Sequence, residues 1–230
     1  QGDWSSDVCS SDLIHSPFTS PSGNMHGMPL AIATRHDNRV HAIQTPDPAT
    51  LDVWRRLQDL AQPGQPALQL RDLIYIAVRS TEAAERATIR AHGLPVVSTA
   101  EVRRRGPEAA AARCLEHLAA CDLIYVSFDV DSMDATICRG TGTPVPGGLW
   151  ADEAVRILRA LLRDPRVCCW EICEINPHLA SPAATLDLAL EIYRGVLEEL
   201  DRRFAGADRA QPPGPQAPWP LPHGRGERAA

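Results

Sequence analysis

The sequence predicts an α/β fold, a three-layer αβα sandwich built on a mostly parallel sheet. Three observations carry the prediction. Four short apolar runs stand at 73–79, 94–98, 123–129 and 166–173, continuous rather than alternating, as in strands buried on both faces. An amphipathic stretch of helical length follows each of them, at about 82–92, 107–121, 151–163 and 183–203. With 230 residues, 44% of them hydrophobic and 23% charged, the chain is long enough for one such core and little more.

Residues 1–13, QGDWSSDVCSSDL, repeat SSDVC as SSDL and show neither helical nor strand periodicity. The string resembles one reading frame of a sequencing-library adapter and is expected to be a non-native segment, or else a disordered tail. The domain is expected over 14–204. Its strands are LIYIAVR, LPVVS, LIYVSFD and RVCCWEIC, short and β-branched, with the amphipathic stretches between them as the covering helices. Residues 205–230 are dense in Pro and Gly, lack an apolar face and are predicted to be disordered.

The formal net charge is −6, which argues against a nucleic-acid partner. All 23 basic residues are arginine, which excludes a lysine Schiff base or a phosphate-loop lysine. No run approaches the ~20 apolar residues of a membrane span, and no secretory signal opens the chain, so a cytoplasmic protein is expected. Seven cysteines without a Cys-x-x-Cys pair are expected to be reduced, buried or inert thiols.

In sheets of this kind ligands sit at the carboxyl ends of the strands. There stands SFDVDSMD, 127–134: strand alternation would put Asp129 and Asp131 on one side, where their repulsion calls for a hard divalent cation. A solvated Asp-rich loop is the other reading, with Asp134 as an Asx-type cap or a supporting acceptor. RGTGTPVPGG, 139–148, reads only as a constrained loop. SPSGNMHGMPLA, 20–31, offers Ser22, Asn24 and His26 in a loop before a helix, with His26 either a surface residue or a catalyst. WEICEINP, 170–177, brings Glu174 to a strand end, as a solvated terminus or as a partner for a cation.

Together these segments resemble the ureohydrolase superfamily, and arginases most closely. SFDVDSMD…GTGTPVPGG is similar to the second metal motif and its following loop, SGNMHG to the loop that recognises the amino-acid end of the substrate, and EINP to the glutamate segment. DLIYIAVRSTEAAE, 72–85, resembles the strand and turn between them. The resemblance implies a manganese-dependent hydrolysis of L-arginine to L-ornithine and urea, with Asp129 and Asp131 as ligands of a two-Mn²⁺ centre whose hydroxide attacks the guanidinium carbon. It implies that Glu174 pairs with the guanidinium, that His26 shuttles a proton to or from the leaving amine, and that Ser22 and Asn24 bond the α-carboxylate. Glu82 and Glu85 fall where acidic residues lie near the α-amino group, and Thr143 would line the pocket. The partner is then a small guanidino substrate, and the intact family forms trimers or hexamers.

Agmatine hydrolysis is the alternative within the superfamily; a non-catalytic fragment or pseudoenzyme is the alternative outside it. Two further family motifs, GGDH and DAHxD, have no counterpart, and Leu13 stands where the last Asp of the second would fall. The expectation is an N-terminally truncated domain that lacks its first strands, with only two metal ligands and negligible turnover on its own.

Overall fold

The computed structural model describes residues 14–205 apart from 62, 180 and 181. The adapter-like segment 1–13 and residues 206–230 of the expected tail lie outside the described residues. Helices α1 (Pro29–Thr34) and α2 (Pro48–Gln58) precede strand β1 (Tyr75–Ile76), helix α3 (Ala83–His92) and strand β2 (Val96–Val97). Helices α4 (Thr99–Arg105) and α5 (Pro107–His117), strand β3 (Ile124–Asp129), helix α6 (Ala151–Leu162), strand β4 (Val167–Cys173) and helix α7 (Pro182–Ala205) follow. Among these described residues no helix is long and apolar enough to cross a membrane.

Local chemistry sets the helix starts. Asp47 caps α2 by accepting from the Ala49 and Thr50 N–H groups at 2.8 and 2.9 Å, with Pro48 in the first turn. Ser98 caps α4, accepting from Glu101 N–H at 3.1 Å. Glu85 and Glu153 reach back to the N–H groups of Glu82 and Trp150, at 3.0 and 2.9 Å, and fix the first turns of α3 and α6. Neither α2 nor α4 was expected. Of α2 only Trp54 and Gln58 are buried, so its apolar stripe is too thin to read, and α4 spans two turns.

All strand pairing is parallel, as expected, but it falls into two separate pairs, β1–β2 and β3–β4. The runs at 73–79 and 94–98 each contribute only two paired residues. Two apolar clusters show the layers. Ile14, Met28, Ala31, Trp54, Tyr75 and Leu94 join α1 and α2 to one face of β1–β2. Val97, Val126, Phe128, Leu158, Ile192 and their neighbours join the other face to α4–α7. The sandwich is therefore three-layered over β1–β2.

Over β3–β4 the described residues form two layers. Ile124, Val126 and Phe128 face the core, while Tyr125 and Ser127 point to solvent. Here the expectation for the cysteines fails in part: Cys168 and Cys169 are exposed, whereas Cys114 and Cys138 are buried. The pairing steps from Ile124↔Val167 to Tyr125↔Cys169, so Cys168 is the extra residue of a bulge, and Cys169 lies beside Tyr125 on the uncovered face. Burial pushes the Cys114 and Cys138 thiols up, to about 12 and about 11, so both are inert at neutral pH.

Candidate active site

The carboxyl ends of β3 and β4 carry the acidic cluster. Strand β3 ends at Asp129, and Val130–Ser132 forms a turn of 3₁₀ helix rather than more strand. Asp129 and Asp131 do come together, but not by the expected strand alternation. The Asp131 N–H donates to Asp129 Oδ1 at 2.6 Å, which folds the second carboxylate back beside the first. Asp131 is 1% exposed; its Oδ2 accepts from the Thr143 hydroxyl at 2.6 Å and its Oδ1 contacts the Thr141 hydroxyl. Thr141 Oγ1 also lies 2.9 Å from the carbonyl oxygen of Glu174, tying the end of β4 to the same point.

Glu174 stands one residue beyond β4 with φ 63°, in the left-handed region that turns the chain off the strand. Asn176 N–H braces the turn on Gly140 O at 2.9 Å. Burial raises the Glu174 carboxyl, Asp131 adds to the rise, and His26 opposes it. Burial with Asp131 and Glu174 pushes Asp129 up to about 7, against the pull of the Asp131 N–H and Arg79. The cluster is thus a set of like charges held in a poorly solvated place.

Arg79 is its resident cation, and sequence reasoning missed it. It follows β1, and its guanidinium donates to the carbonyls of Asp131, Met133 and Val145 at 2.8, 2.9 and 2.6 Å. One side chain therefore ties together the loop bearing the carboxylates and the loop bearing Thr143. Burial lowers its pKa and the charges of Asp131, Asp134 and Asp129 oppose that shift. Asp134 plays the supporting part expected of it: Oδ1 accepts from Thr136 N–H at 2.9 Å, Oδ2 from Gly147 N–H at 2.7 Å.

Gly148 is the tightest point of this arrangement. A Cβ there would stand 2.3 Å from the Met133 carbonyl group and 2.4 Å from Asp134 N, all backbone atoms that cannot swing away. Gly148→Ala is expected to cost at least about 1–3 kcal/mol, read as a lower urea midpoint. An unchanged midpoint would show that the loops can part without loss.

A second crevice gathers the other predicted residues. His15, Ser20, Ser22, Asn24, His26 and Glu82 are among the residues that line it. Ser22 Oγ accepts from Asn24 N–H at 3.2 Å, so the serine also shapes the loop. His26 lies in a turn of 3₁₀ helix, Met25–Gly27, ahead of α1. Glu82 and Glu85 start α3; Glu85 is fully buried, with its Oε2 3.5 Å from His15 Nε2. Since His26 acts on the Glu174 charge, the crevice and the acidic cluster are electrostatic neighbours.

The donors do not fit a two-ion metal centre. Among the described residues no three His, Cys, Asp or Glu side chains converge as ligands, and both oxygens of Asp131 already meet threonine hydroxyls.

A parallel α/β frame with carboxylates at its strand ends, beside a crevice of small polar groups, defines the class: an enzyme-like α/β domain. The arginase family profile matches residues 12–198. An arginase of Emericella nidulans is 33% identical over 186 residues, which cover 80% of this chain and 53% of that protein. The Bacillus subtilis arginase is 30% identical over 181 residues, 78% of this chain and 55% of that one. Its crystal structure superposes with a TM-score of 0.68 at 27% identity, covering 82% of this chain and 60% of the other. The chain belongs to the arginase family, and it spans about half the length of the curated relatives it matches.

Proposed function

We propose that this chain is part of an enzyme that hydrolyses L-arginine to L-ornithine and urea. The observation that supports it best is the crevice in which neutral Ser22 and Asn24 share walls with acidic Glu82, while His26 influences Glu174 across the way. Such walls complement a substrate with a carboxylate, an ammonium and a distant guanidinium. In this reading Ser22 and Asn24 bond the α-carboxylate, and Glu82, with Glu85 behind it, attracts the α-ammonium. Glu174 pairs with the guanidinium and fixes its carbon, with Thr143 lining the pocket beside Asp131. Water adds to that carbon, the bond to the ornithine nitrogen breaks, and His26 carries the proton lost by the water to the leaving amine.

Asp129 and Asp131 are the chain's candidates for binding Mn²⁺ in the family manner, as part of a shell and not as the whole of it. Titration of the 230-residue chain with Mn²⁺ is therefore expected to show no tight binding of two ions. Stoichiometric uptake of two ions would overturn that statement. The function itself is tested by urea release from this chain joined to an upstream segment carrying the GGDH and DAHxD motifs, with L-arginine and agmatine compared. L-Arginine is expected to give the higher kcat/KM. A higher value for agmatine refutes the amino-acid reading, and no release from either substrate refutes the hydrolase.

A further inference from the structure

Thr185 is buried one turn into α7, on an element that carries none of the site residues named above. Its Oγ1 accepts from Gly140 N–H at 2.7 Å. Gly140 is fitted to this contact, since a Cβ there would stand 2.8 Å from that oxygen and 3.0 Å from Thr185 Cβ. Gly140 and its neighbour in turn bracket Glu174. The Gly140 carbonyl accepts from Asn176 N–H at 2.9 Å, and the Thr141 hydroxyl stands 2.9 Å from the Glu174 carbonyl oxygen. The backbone that follows Glu174 is thus held at two points by Gly140 and Thr141, and Thr185 anchors that pair to α7. The bracket matters because Glu174 keeps φ 63°. A residue with a Cβ adopts that conformation at a cost and keeps it only where the surrounding contacts impose it.

We propose that Thr185 is a positioning residue for Glu174: from α7 it fixes, through Gly140, the left-handed turn that aims this carboxylate at the guanidinium of the substrate. The role rests on the L-arginine reading above and adds to it a residue that lies outside every motif segment. Relaxing φ at Glu174 to the right-handed side would re-aim its Cα–Cβ bond and carry the carboxylate off the guanidinium. Thr185→Val keeps the volume of the side chain and removes the acceptor, which leaves the buried Gly140 N–H unpaired and the turn without its anchor. Thr185→Ser keeps the oxygen and so keeps the anchor.

Two measurements test it. In NMR of the ¹⁵N-labelled 230-residue chain, Thr185→Val is expected to move the Gly140, Glu174 and Asn176 amides, and Thr185→Ser to leave them near their original positions. Amide dispersion reports whether each variant folds, and Thr185→Ala, which also lacks the acceptor, takes the place of a valine variant that does not. In the chain joined to the upstream motif segment, Thr185→Val is expected to lower kcat for L-arginine about tenfold, because a displaced carboxylate no longer fixes the guanidinium carbon. KM should stay within about a factor of two, and inhibition by L-ornithine, which has no guanidinium, should be unchanged. Thr185→Ser should keep most of kcat. A merely structural threonine would weaken L-ornithine inhibition in step with kcat, and that result overturns the inference. So does an unchanged kcat in Thr185→Val, a Thr185→Ser as slow as Thr185→Val, or Glu174 and Asn176 amides that stay in place. If the unaltered joined protein releases no urea, the hydrolase reading fails, and the amide shifts still decide whether Thr185 holds Glu174.

Discussion

Arg79→Met is expected to lower the stability of the chain by about 2–3 kcal/mol, the scale of losing charge-assisted hydrogen bonds from a half-buried group. Methionine fills much of the volume of the arginine stem but donates nothing. The carbonyls of Asp131, Met133 and Val145 lose donors now 2.8, 2.9 and 2.6 Å away, and Asp129, Asp131 and Asp134 lose their nearest cation. Arg79→Lys should recover only part of the loss. An ammonium restores the charge but cannot span three carbonyls with one planar fork. Urea denaturation of the three proteins gives the order directly. If lysine restored full stability, Arg79 would act as a point charge, and the two loops would be held by something else.

The outline of the fold was legible because burial on both faces leaves a plain mark. LIYVSFD and RVCCWEIC became β3 and β4 almost to the residue, and α6 and α7 followed their stripes. The runs containing β1 and β2 are equally apolar yet pair over two residues only, since apolarity reports burial and not hydrogen-bonded register. Cys168 and Cys169 were misjudged for a related reason. The run around them suits a strand covered on both sides, but only one side of β3–β4 is covered among the described residues.

The acidic cluster was legible in its members and not in its mechanics. Asp129, Asp131 and Glu174 stand at strand ends, which the pattern of runs predicts. Their convergence depends on a 3₁₀ turn at Val130–Ser132 and a left-handed backbone at Glu174, neither of which has a distinctive residue to announce it. Arg79 was missed because its importance lies in partners far along the chain. Arg79 reaches backbone carbonyls more than fifty residues away, which any sequence could supply. Glu82 and Glu85 carried a second signal, since a Glu three residues into a helix is also a capping residue. Their placement at the crevice and their service to α3 are compatible, which is why composition alone could not separate the two.

The same crowding of charge gives a pH prediction of opposite sign to Arg79→Met. Asp129 is held near 7 in the folded chain by burial and by Asp131, against an ordinary value of 3.8. A carboxyl that keeps its proton longer when folded binds more protons in the native state between those limits, so stability falls as pH rises through them. Below about pH 4 both states are protonated and the penalty vanishes; above about pH 7 it is fully present, with a ceiling of about 4 kcal/mol. Asparagine keeps the oxygen that accepts the Asp131 N–H at 2.6 Å and removes the charge. Asp129→Asn is therefore expected to match the original chain at pH 4 and to exceed it by about 2–4 kcal/mol at pH 8, in denaturation with divalent metals chelated. A gap that is the same at both pH values, or a variant that is weaker at pH 8, would show that the two carboxylates do not repel each other. A group that destabilises the chain carrying it calls for a counter-charge, and the gain from its removal measures how strongly this site would favour a cation.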